Sequence, residues 1–93
     1  MDNCNIDKIA DAVESVAVEL DNLPKCILDT QIRNINILVS NTRIHVEPDT
    51  KCDIVLQNMQ RLIAYFFISK GAVGALLENL YSEIVSLRNL QEV

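Results

Sequence analysis

Residues 62–77, LIAYFFISKGAVGALL, hold a single charge, Lys70, in sixteen positions. A run this apolar must be buried, and in a chain of 93 residues the remaining segments have to bury it. It falls short of the roughly 18–20 residues that a membrane span needs, and Lys70 interrupts it, so no membrane span is expected. The chain has only two Gly, two Pro, two Phe and two Tyr. A sandwich or barrel with many tight turns needs more of these residues, which leaves an all-α fold. The length suits one helical domain over residues 1–93.

The hydrophobic spacing predicts four helices, at about 5–22, 25–40, 50–70 and 72–90. In the first, Ile6, Ile9, Val13, Val16, Leu20 and Leu23 recur at alternating intervals of three and four, the period of one helical face. Pro24 disfavours helical geometry at Leu23 and can open the next helix. There Leu28, Ile32, Ile35 and Val39 share a face. Residues 34–47 also alternate and are rich in β-branched side chains. A hairpin therefore competes with the preferred reading, helix to about Ser40 and then an extended loop to Pro48. Thr50-x-x-Asp53 is a weakened capping box for the third helix, whose seam is Cys52, Val55, Met59, Leu62 and Phe66, broadened by Leu56, Ile63 and Phe67. Ser69-Lys70-Gly71 reads as its end, with Gly71 at the position that favours left-handed geometry. Val73, Leu77, Leu80, Ile84 and Leu87 face inward on the fourth.

The favoured architecture is a small antiparallel four-helix bundle. A second reading keeps one helix over 50–90, because the seven-residue phase runs through Cys52, Met59, Phe66, Val73, Leu80 and Leu87 without a break. Such a helix would have to form a coiled-coil dimer. Replacing Gly71 and Gly74 with Ala is expected to favour the continuous helix and to disrupt a corner that requires glycine.

The formal charge is −5, and its placement is uneven. Residues 1–23 contain six acids against Lys8 alone, while seven acids balance seven bases thereafter. No basic stripe is present, which argues against nucleic acid and for a basic partner if the partner is charged. The opening Met-Asp-Asn-Cys is acidic with no apolar run behind it, so a cytoplasmic location is expected, with Cys4, Cys26 and Cys52 as free thiols. Cys52 lies on the third-helix seam and reads as a small core residue.

Catalytic and metal signatures are weak. Cys4, Cys26, His45 and Cys52 have ligand chemistry but wide spacing and no Cys-x-x-Cys pair, so neither a metal nor a cofactor is expected. In an up-and-down bundle Cys4 and Cys52 fall at one end and Cys26 at the other. His45 and Glu47 offer an acid–base pair without a nucleophile near them. An enzyme is not expected.

CDIVLQNMQRLIAYFFISKGAVGALLENLYSEI, with its central aromatics, tight corner and Leu-x-x-Leu-Tyr-x-x-Ile, resembles in helix order the four-helix immunity proteins of bacteriocin producers. The acidic first helix and three cysteines depart from that pattern. The chain is also similar in size and charge to the small acidic chaperones of bacterial secretion systems. These resemblances imply a chain that works by binding another protein.

The expected function is therefore a small acidic helical interaction module: an adaptor, chaperone, regulator or immunity-type inhibitor. Its partner is a basic or helical protein, in a homodimer or heterocomplex. Self-association through a coiled coil is the alternative. Candidate partner-binding residues are the first-helix acids Asp7, Asp11, Glu14 and Asp21 with Val18 among them, and the surplus apolar positions Tyr65, Phe67 and Val85.

Overall fold

The structure, a computed structural model, describes residues 6–91. Four helices account for most of them: α1 (Ile6–Glu19), α2 (Lys25–Ile44), α3 (Lys51–Ser69) and α4 (Val73–Gln91). Each packs on its chain neighbours and α1 closes against α4, giving an antiparallel bundle 40 × 23 × 17 Å in extent. The predicted seams meet at its centre. Ile9, Ile32, Val39, Leu56, Met59, Leu80 and Ile84 have no solvent exposure at all. The apolar run 62–77 is divided between α3 and α4, and Ile63, Phe66, Val73, Leu76 and Leu77 bury its inner half.

The helix ends depart from expectation in instructive ways. α1 stops at Glu19, three residues early, and the Asn22 and Leu23 amides fold back to the Glu19 carbonyl at 3.0 and 3.1 Å. Pro24 is extended (φ −62°, ψ 153°), so the chain must leave the helix before it, yet Leu20 and Leu23 still pack against the core. Pro24 then leads directly into α2, its carbonyl accepting the Ile27 and Leu28 amides. The predicted start at Asn5 lies outside the described residues.

α2 runs to Ile44, four residues past the expected Ser40, and neither an extended 41–47 loop nor a hairpin forms; the described residues contain no strand. The β-branched composition of 34–47 is overridden by tertiary contacts. Ile35 and Val39 carry the buried seam onward, and Arg43 on the last turn reaches Asp53 on α3. The remaining link, residues 45–50, tucks Val46 into the core.

The break between α3 and α4 is real, so one helix over 50–90 is overturned. Its chemistry differs from the prediction, because Lys70 takes the left-handed conformation (φ 53°) while no glycine has positive φ. The Gly71 amide donates to the Phe66 carbonyl at 3.1 Å, six residues spanned, which is the signature of a Schellman end with lysine in the place glycine usually fills. A methyl group at Gly71 or Gly74 would meet neighbours no nearer than 3.4 and 3.7 Å respectively, so neither position requires glycine. The expectation that alanine there breaks the corner is corrected accordingly.

Cys52 is buried, as a seam residue should be, but it is disulfide-bonded and not a free thiol. Cys26, at the opposite end of the bundle, is free and exposed. Cys4 lies outside the described residues.

Candidate protein-binding surface

The outer face of α1 is a direct consequence of its inner one. With the seam turned inward, the positions between seam residues point to solvent, and Asp7, Asp11, Glu14 and Val18 follow one another at intervals of four, three and four along that stripe. All four are exposed, Val18 to 74%. Asp21 is exposed in the turn after α1. Asp7 has a cation beside it, Arg88 of α4 at 3.4 Å, in an open pair that contributes little to stability.

Beside this stripe α1 and α2 separate into an open groove of about 430 Å³. Ala12, Ser15 and Val16 form one wall; Gln31, Asn34, Ile35, Ile37, Leu38 and Asn41 form the other. The lining contains no charged side chain, and Ile37 is 57% exposed on its rim. Asp11, Glu14 and Glu19 border a second concavity that shares Ser15 and Gln31 with the groove, so acids and apolar groups adjoin along one side of the bundle. Gln31 Oε1 is buried and has no hydrogen-bond partner among the described residues.

The cations of α2 are all engaged elsewhere. Lys25 lies 3.6 Å from Asp29, Arg33 sits over the Phe67 ring at 4.5 Å, and Arg43 pairs with Asp53. Lys8, the one cation of α1, lies a turn before Ala12. On α1 four acids therefore stand against Lys8 alone, while the α2 cations have contacts of their own.

The remaining residues named from the sequence are dispersed. Tyr65 is 70% exposed between α3 and α4. Phe67 is half-buried, edge-on to Phe66 at 5.0 Å and covered by Arg33, so its ring is occupied within the bundle. Val85 is at the margin of exposure on α4, one turn from the exposed Tyr81. The structure groups Asp11, Glu14 and Val18 and sets the aromatics and Val85 on other faces.

Ile37 and the amides Gln31, Asn34 and Asn41 were missed from the sequence. A signal existed: Asn34, Ile37 and Asn41 recur at intervals of three and four, offset from the α2 seam, and Ile37 has no place on that seam.

The hydrogen-bonded cluster around Asp53 joins α2 to α3. Asp53 is 3% exposed, and its Oδ1 accepts Arg43 Nε–H at 2.7 Å while Oδ2 accepts the Asp49 amide at 3.0 Å and Gln57 Nε2 at 2.8 Å. Arg43 also donates to Gln60 Oε1, and Gln60 donates to Ser40 Oγ. These bonds occupy the carboxylate and fix the 45–50 link. The Asp53 pKa is lowered, first by the Arg43 hydrogen bond and then by the Asp49 amide; burial opposes them, and Gln57 and the Arg43 charge add to the lowering.

His45 and Glu47 are both exposed on that link. No group of three or more His, Cys, Asp or Glu that could hold a metal occurs among the described residues, and no helix there is long and apolar enough to cross a membrane. Compared with family models, curated proteins and solved structures, the chain matches none.

Proposed function

We propose that this chain is a protein-binding module that acts by stable contact with a basic, helical partner, as an adaptor, chaperone, regulator or inhibitor does, and that it performs no catalysis. The observation that carries this reading is the exposed stripe Asp11, Glu14 and Val18 beside an uncharged groove of mixed apolar and amide lining. The acids line an open surface concavity that adjoins the groove, and an interface needs this pairing of apolar contact with a charged border. A coiled-coil role is less well supported, since its continuous helix is absent. The Cys52 disulfide weighs toward an oxidising compartment and against the cytoplasmic location expected from sequence.

The test is affinity capture from the producing cells with wild-type bait and an Asp11→Asn, Glu14→Gln double variant in parallel. Wild-type protein should retain a basic protein at about 0.1 M salt and release it by about 0.5 M, because exposed charges are screened within a few ångströms there. The variant should retain markedly less. Equal retention by both baits, or none by either, overturns the proposal.

A further inference from the structure

Building on that reading, we propose that the α1/α2 groove is the docking site and that its occupant is a basic amphipathic helix of the partner. The helix lays its apolar residues over Ile37 and Leu38 and turns its cations toward Asp11, Glu14 and Glu19.

The form of the occupant follows from what the groove lacks. An extended peptide is captured by adding to a sheet edge, and the described residues contain no strand. A proline-rich segment docks against aromatic rings, and the lining has none; a phosphorylated segment needs an arginine cluster, and the lining has no cation. What remains is the furrow between two packed helices, whose ridges accept the side chains of a third.

The charge of the occupant follows from the border. Three acids flank the site against one α1 cation, Lys8, a turn from Ala12, and Lys25, Arg33 and Arg43 of α2 are turned to other partners. A second copy of this chain fits less well, because a two-fold contact through this face sets one acidic α1 against another.

The probe is a synthetic Leu/Lys amphipathic helix of about five turns, about 18 residues, titrated into isotopically labelled full-length protein. A Leu/Glu peptide of equal hydrophobicity is the charge control. The Leu/Lys peptide should perturb the amides of Ala12, Ser15, Gln31 and Asn34 and the Gln31 side-chain amide. Ile37→Lys, at a site exposed enough to leave the fold intact, should weaken it about tenfold, while Tyr65→Ala leaves it unchanged. Perturbation centred on Tyr65, or equal affinity for Ile37→Lys, overturns the groove but leaves an acidic binding module standing. Equal binding of the Leu/Glu peptide, or binding of neither, overturns the groove and the basic-partner reading together. A reciprocal dimer through the same residues in the absence of peptide overturns the choice of occupant.

Discussion

Arg43 Nε lies 2.7 Å from Asp53 Oδ1, tying the last turn of α2 to the first turn of α3 across a six-residue link. The pair is asymmetric: the Asp53 side chain is 5% exposed and the Arg43 side chain 38%. The carboxylate is therefore the committed member, and it also holds the amide of Asp49, whose backbone is left-handed (φ 66°). Thr50 completes half of the expected capping box by accepting the Asp53 amide at 3.2 Å. The other half is redirected, since the Asp53 carboxylate serves Asp49, Arg43 and Gln57 instead of the Thr50 amide.

This arrangement makes stability sensitive to acid. The folded-state pKa of Asp53 is depressed below the ordinary 3.8, so its contribution is present above that value and is lost as pH falls through the folded pKa. Asp53→Asn should be less stable than wild type at neutral pH, and the gap should narrow below about pH 4. Urea melts of both proteins between about pH 2 and pH 7 check this. A gap that stays constant over the range would show that the carboxylate charge has no part in it.

The α3/α4 corner contains a correctable strain. A non-glycine residue in left-handed geometry costs about 1 kcal/mol, and Lys70 is exposed there at φ 53°. Lys70→Gly should raise stability by about 1 kcal/mol, or roughly 4–8 °C in Tm for a domain of this size. Gly71→Ala should leave it within about 0.5 kcal/mol, its new methyl meeting Ser69 at 3.4 Å and Phe66 at 3.7 Å in ordinary contact. Thermal melts followed by circular dichroism separate the two; equal shifts would place the strain elsewhere.

Reducing the Cys52 disulfide should cost about 2–4 kcal/mol, within the range for natural cross-links. Maleimide should label exposed Cys26 in the unreduced native protein and reach Cys52 only after reduction and unfolding. Peptide mass spectrometry of the adducts, with melts in the presence and absence of reductant, provides the check. Cys52 labelling without reductant would contradict the cross-link.

The inner faces of the helices were legible because burial leaves a periodic trace. Every seam residue assigned to α2 and α4 is buried. The ends were harder to read, because they involve partners distant in sequence: Arg43, on the last turn of α2, bonds Asp53 and Gln60 of α3. Lys70 shows a second limit. Local propensity favoured Gly71 for the left-handed position, but Lys70 takes it, with the Gly71 amide bonded to the carbonyl of buried Phe66. The groove was less legible still. The acids on its border stand out in the sequence, but its amides gain significance only from lying on α2 opposite the α1 wall. Val46, a buried residue in a link, left no periodic signal at all.

Tyr65 and Phe67 are both candidates from sequence for an exposed partner anchor, the other reading being a central third helix, and the structure gives them different surroundings. Phe67 lies under the Arg33 guanidinium and against Phe66, so its removal opens contact area between α2 and α3. Phe67→Ala should cost about 2 kcal/mol, a half-buried ring losing part of what a fully buried one does together with its cation–π contact. Tyr65, 70% exposed, has little to lose, and Tyr65→Ala should stay within about 0.5 kcal/mol of wild type. Arg33→Ala in the Phe67→Ala background should add less than it does alone, since both changes remove the same contact. Denaturant midpoints for the three single variants and this double variant close the cycle. Full additivity would mean that Arg33 does not cover the ring in solution, and Phe67 would return to the set of exposed anchors.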